Sequence, residues 1–235
     1  MTVAVLVPVK DLSRAKTRLA RLLSEAERAE LAGLLLAGVL EAIARLPDMA
    51  AGEPLRRVVV TAHIPAADSA RRHGFEVLPE PAPVSESESV DRASALLERE
   101  GVRGILRVPL DLPLIEASDL ARLVVLGRNG AAALLVPSLA GTGTNALYRA
   151  PPTLFPSRFG PGSLALHREE ARQRGVAAQI VPLDSLALDV DDPEDVLLWL
   201  QRKRSSPALE YLQSLRIEAR LEHYVGAGAA RQARG

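Results

Sequence analysis

The residues that most restrict the fold are at the start of the chain. Residues 2–9, TVAVLVPV, are almost wholly apolar and rich in β-branched side chains. Such a run suits a strand covered on both faces, the habit of parallel sheets. Similar runs recur at 56–62 (RRVVVTA), 75–80 (FEVLPE), 104–111 (GILRVPLD) and 131–138 (AAALLVPS). Stretches with helical spacing separate them. Parallel neighbours need a crossover, usually a helix. The pattern therefore predicts an α/β fold: one domain in three layers, a mostly parallel sheet with helices on both faces.

The helices carry their own signals. Ser24 and Glu27 form a capping box, and Leu31, Leu35, Val39, Ile43 and Leu46 then share one face. Shorter helices are expected at 66–73, closed by Gly74, at 91–100, and at 117–127 with Ser118 as N-cap. Another is opened by FGPGS (159–163) and ends at Gly175. The last follows Asp192, with Pro193 in its first position. Residues 81–90 read as a Pro/Ser/Glu loop, and 177–184 and 186–192 read as strands. At Ser205-Ser206-Pro207 the composition breaks. Residues 1–204 are expected to form the domain, and 205–235 a C-terminal helical extension, helical over about 207–224, with a flexible end. It would pack on the body or on a second subunit.

Bulk charge excludes whole classes of function. Lys plus Arg and Asp plus Glu number 29 each, so no net field favours nucleic acid or an anionic membrane. There is no cysteine, and His63, His73, His167 and His223 lack metal-ligand spacing. No run approaches the ~20 apolar residues of a membrane span, and no basic leader precedes the first strand. A cytoplasmic protein acting on small molecules, as monomer or homodimer, is the expectation.

Three groups of residues point to chemistry. Asp111 closes the fourth apolar run, at the sheet edge where open α/β folds bind ligands. Asp189 and Asp191, two apart, would point the same way from an extended segment. Asp192 and Asp195 have the simpler duties of capping and of charge in a helix's first turn. Each aspartate alone reads as a strand-end or cap residue. Asp111, Asp189 and Asp191 together read as hard oxygen ligands for magnesium. The second group is Gly/Thr-rich. GTGTN (141–145) offers Thr144 before a strand, and FGPGS offers Gly160 and Ser163 at a helix start, a natural anion site. Ser163 could equally be an ordinary N-cap, and His167, a turn further on, either faces this site or lies on the surface. The third group is KDLSRAKTRL, which places Lys10, Arg14, Lys16 and Arg18 after the first strand, either as an anion site or as a solvated loop.

In order, VPVK to AKTRL, DLPL, GTGTN, FGPGS with its histidine, and DVDDPEDV resemble the guanylyltransferases of coenzyme F-420 biosynthesis over roughly residues 3–200. The resemblance implies the fold shared with nucleotide-diphospho-sugar transferases. It also implies transfer of GMP from GTP to the phosphate of phosphoenolpyruvate, or alternatively of 2-phospho-L-lactate or 3-phosphoglycerate, with magnesium. Asp111, Asp189 and Asp191 would then ligate the metal, and Thr144, Gly160 and Ser163 would hold the acceptor phosphate. Lys16 would contact phosphates beside Asp111 as a catalytic pair, with Lys10 and Arg18 toward GTP. Many relatives carry Leu-Asn-x-Ala before the third helix, where this chain has Val90 and Asp91. The Ala/Arg/Leu-rich composition looks like that of a bacterial protein from a GC-rich genome, and the family's bacterial members are associated with phosphoenolpyruvate, the archaeal ones with 2-phospho-L-lactate. Two other readings compete: a sugar-nucleotide pyrophosphorylase or glycosyltransferase of the same fold, and a non-catalytic nucleotide-binding domain. The chain lacks the Gly-rich first loop usual in pyrophosphorylases.

Overall fold

The computed structural model describes residues 1–47, 55–80, 84–202 and 204–232. In chain order the elements are β1 (Val3–Val9), α1 (Glu25–Ala44), β2 (Leu55–Thr61), α2 (Ile64–Arg72), β3 (Glu76–Pro79), α3 (Glu86–Arg99) and β4 (Gly104–Arg107). Then follow α4 (Ala117–Arg128), β5 (Ala133–Pro137), β6 (Thr144–Arg149), α5 (Ser163–Gln173), β7 (Gln179–Ile180), α6 (Asp184–Ala187), α7 (Pro193–Gln201), α8 (Pro207–Ser214) and α9 (Ile217–Gln232). The sheet order is β3-β2-β1-β4-β6-β5-β7. Every pairing is parallel except those of β6, which runs antiparallel to β4 and β5.

β1 sits in the middle and is buried along its whole length. Its odd residues, Val3 to Val9, pack under α1, α2 and α4. Ala4 and Leu6 face α3 on the other side. α5 covers β5 and β6 on that second face, through Ala171 against Leu135 and Leu147. The expected three layers are present. α1 has a second duty: Leu31 and Leu35 join Trp199, Leu209, Leu212, Ile217 and Leu221 in a separate apolar cluster. The Ser24–Glu27 capping box forms, and Glu27 also accepts from Arg220 of α9, at 2.9 and 3.0 Å.

Several boundaries differ from the sequence reading. α3 starts at Glu86, inside the stretch read as a loop. Ser85 accepts from the Glu88 amide, and Glu86 and Glu88 complement the helix dipole. The fourth strand ends at Arg107 because Pro109 has no N–H for the ladder. One further bond, Val108 N–H to the Leu6 carbonyl, carries the chain on to Asp111. Ser118 does not cap α4; the N-cap position is Glu116, and the Ser118 hydroxyl turns to its carboxylate. Of the two late strands, the first shrinks to Gln179–Ile180 and the second is the short α6 followed by extended chain. The extension is two helices rather than one. Arg216 takes a left-handed φ of 54°, breaking the helix so that both halves turn apolar faces to α1. α9 continues to Gln232, beyond the expected helix end near 224 and into the small-residue stretch.

Candidate active site

The parallel strands end on one edge, and the chain returns three times to the ends of β1 and β4. After β1, two 3-10 turns (Leu12–Arg14 and Thr17–Arg21) fold the basic loop back over that edge. Between them Lys16 adopts a left-handed φ of 55°, a conformation costly for a residue with a Cβ. The result is an ammonium aimed inward with its side chain only 4% exposed. Asp111 follows β4. The Asp189–Asp191 segment is brought beside it by one main-chain bond, Val190 N–H to the Asp111 carbonyl, at 3.1 Å. Asn145, buried at the start of β6, donates to the Leu186 and Ala187 carbonyls and to Asp189 Oδ1, at 2.9, 2.8 and 3.2 Å. It pins the turn from α6 into the acidic segment.

Lys16 Nζ lies 2.6 Å from Asp111 Oδ2 and 3.0 Å from Asp191 Oδ1. Burial alone would push the Asp111 carboxyl up, but Lys16 and then Arg107 hold it below its usual value. Burial likewise works against the Lys16 ammonium, and the two aspartates more than reverse that. Both groups are therefore charged. Asp189 is different: burial, then the charge of Asp111, then that of Asp191, push it up, against the help of Asn145. Lys16 thus bridges two of the three carboxylates, Asp111 and Asp191, while Asp189 rests on Asn145; the charge and hardness of the three suit a divalent cation. With Lys16 between Asp111 and Asp191, no three acidic or histidine side chains among the described residues stand together as a metal cage.

The phosphate-binding motifs form the opposite wall. Gly160 (φ 121°) and Gly162 (φ 71°) take backbone conformations open to glycine and turn the chain into α5. Ser163 is not the N-cap, which is Gly162. Its hydroxyl instead accepts the Thr144 amide at 2.8 Å, joining β6 to α5. The first amides of α5 are already used, Ser163 N–H on the Gly160 carbonyl and Leu164 N–H on that of Thr142. The hydroxyls of Thr144 and Ser163 add side-chain donors to this wall. His167 is completely buried, not a surface residue, and sits 3.0 Å from Thr144.

Both walls line a cleft of about 570 Å³, the size of a small-ligand site. Asp111, Asp189, Asp191, Thr144, Gly160 and Ser163 all reach it, as do Lys10 and Arg18. Lys10 is held by both oxygens of Glu80, at 2.8 and 2.9 Å, and Arg18 stands exposed at the rim. Arg14 pairs with Asp11 outside the cleft. Val90 is core, and Asp91 is spent on Arg149 and on the amide and hydroxyl of Ser157. Neither lines the cleft. Asp192 and Asp195 form the capping box of α7. Two lining residues carry no signal in the sequence: Arg107, stacked 4.1 Å over the Phe159 ring, and its ion-pair partner Glu86. Arg107 hides inside an apolar strand pattern, and Glu86 inside an apparent loop.

A sequence model of the family described as "Guanylyl transferase CofC like" matches residues 3–228. The chain belongs to this guanylyl transferase family. It is therefore a nucleotidyltransferase, and the match extends through α8 into α9, beyond the stretch where the motifs lie. Among named relatives, a phosphoenolpyruvate guanylyltransferase of Rubrobacter xylanophilus is 37% identical over 220 residues, covering 90% of this chain and 98% of that one. A 2-phospho-L-lactate guanylyltransferase of Methanothermobacter thermautotrophicus is 31% identical, covering 92% of each. In fold, the family member resembles a solved Desulfovibrio desulfuricans G20 protein assigned to the nucleotide-diphospho-sugar transferases. The TM-score is 0.73 at 16% identity, covering 95% of this chain and 99% of that one. No helix among the described residues is long and apolar enough to cross a membrane.

Proposed function

We propose that this guanylyl transferase joins GMP from GTP to the phosphate of phosphoenolpyruvate and releases pyrophosphate. The observation that carries the reading is the two-walled cleft. Asp111, Asp189 and Asp191 line one side, with the buried Lys16 behind them and outside the lining, and the Thr144–Ser163 hydroxyls lie on the other. A phosphate oxygen of the acid attacks the α-phosphorus of GTP. The bond from that phosphorus to the bridging oxygen breaks, and pyrophosphate leaves with the electron pair. The acceptor is already ionised, so no general base is needed, and the work is positioning and charge neutralisation.

Thr144, Ser163 and the Gly160 turn hold the acceptor phosphate. Lys16 stabilises negative charge beside Asp111. Lys10 and Arg18 receive the GTP phosphates, Lys10 by leaving Glu80. Asp111, Asp189 and Asp191 would hold magnesium, which draws charge from the phosphate oxygens when bound. The enzyme acts as a monomer or a homodimer. The small polar substrates fit a cytoplasmic enzyme. Residues 1–204 carry the chemistry, and 205–235 form a helical extension whose α8 and first turns of α9 pack against α1.

The relatives' names support phosphoenolpyruvate first, with 3-phosphoglycerate (a Phenylobacterium zucineum relative, 36% identical) and 2-phospho-L-lactate as the alternative acceptors. The competing sugar-nucleotide reading keeps the same sheet and carboxylates, so a nucleotide panel separates the two. Pyrophosphate release with phosphoenolpyruvate should be at least about tenfold faster with GTP than with ATP, CTP or UTP. Release that requires a sugar phosphate, or that prefers CTP or UTP, overturns the proposal.

A further inference from the structure

His167 has both ring nitrogens engaged. The Arg158 main-chain N–H donates to Nε2 at 2.8 Å, and Nδ1 lies 3.0 Å from Thr144 Oγ1. A backbone amide can only donate, so Nε2 must be the acceptor. A neutral imidazole then carries its proton on Nδ1. The ring is kept neutral by burial and by the nearby Arg149, Arg107 and Arg158, which push its pKa down to about 3. Phe155 and Phe159 fix its plane, with centroids 6.4 and 5.0 Å away. Thr144 Oγ1 therefore receives a hydrogen bond from the ring, and its own hydrogen must point elsewhere. Ser163 is in the same position, because its oxygen accepts the Thr144 amide at 2.8 Å. Both residues line the cleft.

We propose that His167 is a positioning residue for the acceptor phosphate: by donating from Nδ1 to Thr144, it commits the Thr144 hydroxyl to donate into the cleft beside that of Ser163. The ring never touches the ligand. It fixes the direction of a donor that would otherwise rotate, so the cradle meets an anion with two oriented hydroxyls and no reorganisation. This rests on the assignment of that wall to the acceptor phosphate.

The test compares two truncations. His167→Asn keeps a donor near the Nδ1 position and loses the Arg158 contact. His167→Gln reaches the Arg158 amide and loses the donor to Thr144. The KM for phosphoenolpyruvate should stay within about threefold of the parent in His167→Asn. It should rise about tenfold or more in His167→Gln, the scale of one hydrogen bond to a charged group, with the GTP KM unchanged in both. In the parent enzyme, nitrogen-15 NMR of the histidine rings at pH 7 should show the Nδ1–H tautomer for His167. An Nε2–H or doubly protonated ring overturns the proposal, as do equal KM values in the two variants. A rise in the GTP KM alone, with the Nδ1–H tautomer present, overturns the acceptor assignment of this wall rather than the hydrogen-bond direction.

Discussion

The Lys16 ammonium lies 2.6 Å from Asp111 Oδ2, although the two residues come from loops at the ends of different strands. The pair is well shielded, with side-chain exposures of 4% and 20%. Removing one partner leaves the other without its counter-charge. Lys16→Met should therefore cost about 3 kcal/mol of stability, the scale of a broken buried pair. Lys16→Met/Asp111→Asn should recover part of that loss. Thermal melting of these two variants and of Asp111→Asn checks the coupling, and additive losses would contradict it. Turnover should fall roughly 10²-fold or more in Lys16→Met.

Asp189 stands on the other side of that balance. Its pKa is raised, so the ionised carboxylate destabilises the fold above the unfolded value. Asp189→Asn keeps an oxygen for Asn145 and removes the charge. The variant should melt higher than the parent, yet turn over roughly 10²-fold more slowly. Magnesium should raise the parent's melting temperature more than the variant's. A lower melting point for the variant would contradict this account of the site.

Ser163→Ala tests the cradle without touching a helix cap. Loss of the Oγ acceptor leaves the buried Thr144 amide unpaired, a cost of about 1–3 kcal/mol. The KM for the acid should rise much more than that for GTP, and steady-state titration of each substrate checks it. A larger effect on GTP would exchange the two phosphate subsites.

His167 gives stability a pH dependence of definite sign. Its folded pKa, about 3, lies below the ordinary value of 6.5, so between these limits the unfolded chain binds the extra proton. Its contribution is therefore complete above pH 6.5 and declines as the pH falls toward 3. Chemical denaturation of the parent and of His167→Asn at pH 7.5 and 5 should show the gap between them narrowing at pH 5. A constant gap would contradict the buried, neutral ring.

What the sequence reveals depends on whether a feature is local. The Val-rich β1, the Ser24–Glu27 box and the Asp192–Pro193 start are written in adjacent residues, and all three form. Ser85-x-x-Glu88 is equally local but sits in a Ser/Glu repeat that resembles a loop, so the start of α3 escapes notice. Asp111, Asp189, Asp191, Thr144 and Ser163 are recognisable as motif residues, and all line one cleft. Their partners are not legible. That Lys16 reaches Asp111 depends on a left-handed residue in a 3-10 loop. Ser163 looks like a cap until β6 delivers the Thr144 amide. Arg107 and Glu86 meet only because α3 begins early enough to face β4.

The central claim is the identity of the acceptor in a GTP-dependent reaction. Phosphoenolpyruvate and 2-phospho-L-lactate differ by a planar methylene against a tetrahedral carbon, a contrast usually worth about 1–3 kcal/mol in a pocket. The deciding measurement is kcat/KM for pyrophosphate release with each acid, and with 3-phosphoglycerate, at saturating GTP and magnesium. The account predicts that phosphoenolpyruvate leads and 2-phospho-L-lactate turns over more weakly. A tenfold or greater preference for 2-phospho-L-lactate or 3-phosphoglycerate, about 1.4 kcal/mol, would contradict the acceptor, and release that is independent of any acid would contradict the transfer itself.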